Sequence, residues 1–185
     1  MKLVVGLGNP GKKYVGTRHN VGWQLLEELT RRHATAAVRK AYNGEVVEAA
    51  IVGQKVLLLA PHTYMNRSGQ SVRQAVDFYK LDAADVLVVC DDMNLPLGKL
   101  RTRIKGSDGG QKGLADIIRH LGTDEVTRLR IGIDRPPEGW EGADYVLAKF
   151  TKDESIEIAL AVSRVADAVA VWAGEGAEAC MNRFN

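Results

Sequence analysis

At 185 residues, 45% of them hydrophobic and 26% charged, the chain has the make-up of one globular domain with a full core. It contains no run of eighteen apolar residues that could cross a bilayer as a helix, and Met1-Lys2 leads straight into an apolar run, leaving no room for a signal peptide. The net charge of +2 is unevenly placed: positions 99–135 hold nine basic and five acidic residues, whereas positions 136–185 hold four and nine, a pattern that fits a localised polyanion site.

The first predicted strand, Lys2–Leu7, runs into Gly6-Leu-Gly-Asn-Pro-Gly11. This matches the dinucleotide-binding fingerprint letter for letter. That fingerprint needs a helix opening at the glycines and an acid at the end of a second strand. Here Pro10 and the polar stretch Lys12 to Arg18 intervene, and Glu27 and Glu28 fall inside the next helix, so the dinucleotide reading fails. That helix is predicted over Val21–His33, with Val21, Leu25, Leu26 and Leu29 forming a core-facing stripe. After a small, basic stretch from Ala34 to Lys40, strands Glu45–Val52 and Lys55–Ala60 flank Gly53-Gln54 as a two-residue hairpin turn. Pro61-His-Thr-Tyr-Met-Asn66 leaves the second of them, and a helix follows over Ser68–Lys80.

The strongest buried-strand signal is Asp85–Cys90, which terminates in Asp91-Asp92. Beyond the turn Asn94–Gly98, basic and apolar residues alternate over Lys99–Lys105 as in a half-exposed strand. Gly106-Ser-Asp-Gly-Gly110 feeds a helix over Lys112–Leu121, and Leu129–Ile133 is another strand. Pro136-Pro137-Glu138-Gly139 marks a loop. Thr151-Lys-Asp-Glu154 is a capping box opening a helix to about Ala173. Gly174 and Gly176 break that helix before a last short one, Ala177–Arg183. This alternation predicts a single α/β domain over residues 1–185, a mixed twisted sheet with helices on both faces.

Three strand ends carry groups able to do chemistry: Asn9 and then His19, Met65-Asn66, and Asp91-Asp92. Taken singly, His19 reads as a helix-start residue and the asparagines as turn formers. Their recurrence at the C-terminal ends of apolar strands is what marks a site. An Asp beside a His fixes its tautomer and makes the other ring nitrogen a general base. Asparagines suit the holding of a carbonyl or a water. The chain lacks a Gly-x-Ser-x-Gly elbow, a phosphate-loop ending and a cluster of His, Cys and carboxylates with metal spacing. His-driven hydrolysis by water, without cofactor or metal, remains. Alternation places Lys99, Arg101, Arg103 and Lys105 on one strand face. Arg128 and Arg130 alternate likewise, and Gly109-Gly110 precedes a helix N-terminus suited to phosphate. The two cysteines, Cys90 and Cys180, lie far apart and point to a reducing cytoplasm.

Gly6-Leu-Gly-Asn-Pro-Gly11, Tyr14, Thr17-Arg-His-Asn20, Pro61-x-Thr-Tyr-Met-Asn66-x-Ser-Gly69, Asp91-Asp92, Gly106-x-x-Gly-Gly110 and Arg128-Leu-Arg-Ile-Gly-Ile133 together closely resemble the bacterial-type peptidyl-tRNA hydrolases, in order and over essentially the whole chain. The resemblance implies a monomeric, metal-independent enzyme that cleaves the ester between a peptide and the 3′-terminal ribose of tRNA. It makes His19 the base and Asp91 its orienter, with Asn9 and Asn66 positioning substrate and water. Asn20 joins the substrate site, Met65 lines the peptide cleft, and Tyr14 lies beside the terminal adenosine. Arg101, Arg103, Lys105 and Arg130 become the tRNA contacts. The chain departs from the family at Gly109-Gly-Gln-Lys-Gly113, where Gly-Gly-His-Asn-Gly is common. Either Lys112 stabilises the oxyanion or a phosphate as a point charge, or Gln111 supplies the amide. The departure also keeps open a protein of the same fold that binds RNA with reduced catalysis.

Overall fold

The computed structural model describes residues 1–185. Its strands are β1 (Lys2–Gly6), β2 (Arg39–Ala41), β3 (Gly44–Ile51), β4 (Gln54–Pro61), β5 (Val86–Asp92), β6 (Leu100–Arg103) and β7 (Thr127–Gly132). They form one mixed sheet in the order β2-β3-β4-β1-β5-β7-β6. The inner four, β4, β1, β5 and β7, run parallel, while β3 and β6 pair antiparallel on either side of them. The helices are α1 (Val21–His33), α2 (Ser68–Tyr79), α3 (Lys112–Leu121), α4 (Gly142–Leu147), α5 (Lys152–Glu175) and α6 (Ala177–Phe184).

Side chains alternate across the pleat, so the central strands feed two cores. Val4, Leu87, Val89, Leu129 and Ile131 face α1 and α5 in a cluster of 24 buried residues. Leu3, Val5, Val86 and Val88 face α2 and α3 in a cluster of 16. The single α/β domain with helices on both faces is therefore as the alternation predicts. From β1 the chain departs along α1 on one face, and it returns from β4 to β5 along α2 on the other. Such a change of face leaves a crevice at the C-terminal ends of the strands.

Two glycines bring the first helix down onto that crevice. A Cβ at Gly6 would lie 2.3 Å from the carbonyl oxygen of Gly22, and one at Gly22 would lie 2.5 Å from the amide nitrogen of Leu7. Only paired glycines let β1 and the start of α1 approach so closely. No helix opens at Gly6–Gly11; two short 3-10 turns, Lys12–Tyr14 and Arg18–Asn20, occupy that stretch instead.

Several boundaries differ from the sequence reading for local reasons. The hairpin turn is Val52-Gly53 rather than Gly53-Gln54, because Ile51 pairs with Gln54 and both turn residues have positive φ. Tyr42-Asn43 makes a second turn of this kind, joining β3 to β2, a strand the basic stretch concealed. β5 continues through Asp91 and Asp92, so these acids sit on a strand rather than in a loop. α5 runs through Gly174 and stops only at Gly176, while α4 follows a double proline that gave no periodic signal.

Candidate active site

His19 sits in the middle of the Arg18–Asn20 turn, and both neighbours are buried to hold it there. Asn20 reaches back to the glycine turn. Its Oδ1 accepts from the Asn9 amide (2.9 Å) and its Nδ2 donates to the Asn9 carbonyl (3.0 Å). Both of its polar ends are thus consumed by backbone. Asn20 is a clamp between two loops and does not line the cleft, contrary to its expected place in the substrate site. Arg18 reaches the other way. It donates to the Lys149 carbonyl (2.8 Å) and to Glu154 (2.9 Å), and its guanidinium lies over the rings of Tyr145 and Phe150. Sequence reasoning gave Arg18 no such role, although its place beside His19 was a signal.

The His19 ring meets Asp91 at the end of β5. Nδ1 lies 2.9 Å from each carboxylate oxygen, and a carboxylate can only accept, so Nδ1 carries the proton and Nε2 is the free lone pair. Asp91 is 5% exposed. Its Oδ1 also accepts from Gln111 Nε2 at 3.1 Å. Asn9 Oδ1 accepts from the Met65 amide at 2.7 Å, tying the first and second loops together. The three strand ends named from sequence thus meet around one cleft of about 560 Å³. Asn9, His19, Met65, Asn66 and Asp91 line it, as do Gln111, Lys112 and Arg130.

Gln111 and Lys112 divide the alternatives left open by the sequence. Gln111 is buried: its Oε1 caps α3 by accepting from Leu114 N (2.9 Å), and its Nε2 serves Asp91 and lies 3.2 Å from Met65 Sδ. Both hydrogens of its amide nitrogen are thus directed at groups of the protein. Lys112 is exposed at the first position of α3 and lines the cleft.

The basic residues also separate. Arg101, Arg103 and Lys105 are exposed outside the cleft, on or just beyond the edge strand β6, and Arg101 pairs across the ladder with Arg130. Arg130 is steadied by Asp92 (3.5 Å) and the Ser107 carbonyl (3.1 Å). Gly109, at φ 62°, packs on its guanidinium, where a Cβ would lie 2.8 Å from a terminal nitrogen. Arg128, expected on the same exposed face, is instead 1% exposed. It donates to the carbonyls of Val126, Gly106, Ser107 and Asp124 and so staples the glycine loop to the sheet. Burial pushes its guanidinium pKa down, with the Arg130 charge adding to the effect.

Tyr14 lies outside the cleft, edge-on to Tyr64 with ring centroids 6.5 Å apart. Tyr64, which sequence reasoning passed over although it adjoins Met65, lines the cleft itself with a strained backbone at φ 60°, ψ 158°. Val146 and Leu147 of α4, together with Met93, supply an apolar wall.

A family model described as peptidyl-tRNA hydrolase matches residues 3–185. A peptidyl-tRNA hydrolase of Rhodopirellula baltica is 54% identical over 185 residues, covering 100% of this chain and 97% of the relative. One of Symbiobacterium thermophilum is 49% identical, covering 100% and 98%. The crystal structure of peptidyl-tRNA hydrolase from Acinetobacter baumannii superposes with a TM-score of 0.92 at 34% identity, covering 100% of this chain and 94% of that one.

Proposed function

The chain belongs to the peptidyl-tRNA hydrolase family and is a hydrolase of peptidyl-tRNA; from that premise we propose how its cleft does the work. The observation that carries the reading is the His19–Asp91 pair, with Nε2 left free beside the cleft. His19 Nε2 takes a proton from water, whose oxygen attacks the ester carbonyl. The tetrahedral intermediate collapses by breaking the bond to the ribose 3′ oxygen. That oxygen receives the proton from His19, and the products are a free peptide acid and tRNA.

Asp91 holds the imidazole in the productive tautomer and stabilises it while protonated. Asn9 and Asn66 supply amides to the water and the carbonyl. Lys112, rather than Gln111, faces the developing oxyanion as a point charge. Arg101, Arg103, Lys105 and Arg130 form the surface for the tRNA phosphates, and the chain acts as a monomer in the cytoplasm. In support of that setting, both cysteines are free and buried, and no helix is long and apolar enough to cross a membrane.

The test is ester release from N-blocked aminoacyl-tRNA by the purified chain. His19→Ala is expected to lower the single-turnover rate about 10²–10⁴-fold while tRNA affinity holds. Rates within threefold of wild type would remove His19 from the mechanism. Tight tRNA binding with no turnover by the wild-type chain would favour an RNA-binding role.

A further inference from the structure

Asp116 is a buried acid that the cleft chemistry leaves unused. It lies on α3, about one turn beyond Lys112, and is 5% exposed. Its Oδ2 accepts from the Gly69 amide at 2.8 Å, while Oδ1 pairs with the exposed Arg119 and lies 3.4 Å from His120 Nδ1. Gly69 is the second residue of α2, whose own cap position, Arg67, makes no side-chain cap bond. Asp116 therefore caps α2 from another helix, and its charge suits the positive end of the α2 dipole. The fit is close. A Cβ at Gly69 would lie 2.3 Å from the Asp116 carbonyl oxygen, and one at Gly113, a turn earlier on α3, would lie 2.5 Å from Met65 Sδ.

Asn66 stands between these two contacts. It is exposed and lines the cleft, and the bonds that fix its segment are made by its neighbours. The Met65 amide donates to Asn9 Oδ1 (2.7 Å), Ser68 Oγ donates to the Met65 carbonyl (2.9 Å), and the Gly69 amide donates to Asp116. The backbone of the Met65–Arg67 turn thus aims the Asn66 carboxamide. We propose that Asp116 is a positioning residue for hydrolysis: by capping α2 it sets that turn and points Asn66 at the reacting water and carbonyl. This rests on the role given to Asn66 above.

The experiment follows ester release from N-acetylaminoacyl-tRNA. Asp116→Ala should lower kcat about tenfold with KM unchanged, the size of a modest misplacement of a reacting group. Asp116→Asn, whose carboxamide oxygen can still accept from Gly69, should restore most of the loss. Arg119→Ala, which removes only the exposed ion pair, should leave kcat at the wild-type value. A double-mutant cycle then separates aim from stability. Asn66→Ala should lower kcat about 10²-fold. Adding Asp116→Ala should lower it no further, while Tm falls equally in both backgrounds. An equal further loss of kcat in the Asn66→Ala background overturns the proposal, because Asp116 would then act on the fold as a whole. So does a wild-type kcat for Asp116→Ala. Should that variant fail to fold, Asp116→Ser, whose shorter side chain stops short of the Gly69 amide, takes its place in the cycle with the same two outcomes. A wild-type kcat for Asn66→Ala would overturn the role of Asn66 itself and this proposal with it.

Discussion

Gln111 is where the chain's departure from the common family pattern becomes chemistry. A carboxamide that caps a helix with its oxygen and steadies Asp91 with its nitrogen fixes the carboxylate against α3. Gln111→Leu keeps the bulk and removes both bonds. Losing a hydrogen bond to a charged group should lower kcat about tenfold with KM unchanged, and losing the cap should cost about 1 kcal/mol of stability. Steady-state kinetics and a thermal melt check both halves. A variant with wild-type kcat would show that Gln111 serves only α3.

The elements that were legible in the sequence are those whose signal is local. α1 begins and ends at the predicted residues because its apolar stripe lies within the helix itself. Asn9, Met65 and Asp91 were legible because each stands at or just beyond the end of an apolar strand, and His19 because it follows the first of these turns and directly precedes α1. What escaped depends on partners distant in the chain. Arg128 looks exposed by alternation, yet a loop some twenty residues earlier folds over it. Asn20 looks like a ligand-binding amide until Asn9 occupies both its ends. The Val52-Gly53 turn was misplaced by one residue because a β-branched side chain rarely adopts positive φ. Val52 is 66% exposed and gains little from packing. Val52→Asn gives the Asn-Gly pair that such a turn prefers and should stabilise the chain by about 1 kcal/mol, raising Tm by about 2–4 °C. Calorimetry showing an unchanged or lower Tm would mean that Val52 is not strained.

Across the molecule, charge and sheet order coincide. The arginines lie at the β6 edge, while the acidic last fifty residues supply the helices α5 and α6. An RNA approaching the β6 edge therefore meets Arg101 and Arg103 beside the cleft and Arg130 at its wall. Arg103→Ala removes a cation that lies outside the cleft, so it should raise KM and leave kcat alone. It should also reduce the salt dependence of tRNA binding by about 0.7–0.9 in the log–log slope for each phosphate that Arg103 neutralises. Titrations of deacylated tRNA over a range of salt concentrations measure that slope, and an unaltered value would make the basic edge mere solvated surface.

Glu154 closes the capping box of α5 by accepting from Thr151 N and, through the same oxygen, accepts from Arg18. Opening of the first turn of α5 therefore withdraws an anchor from the segment that carries the base. The reactive imidazole and a helix start 135 positions further along the chain loosen together. A molecule that grips the beginning of α5 would act as a distant handle on catalysis without entering the cleft.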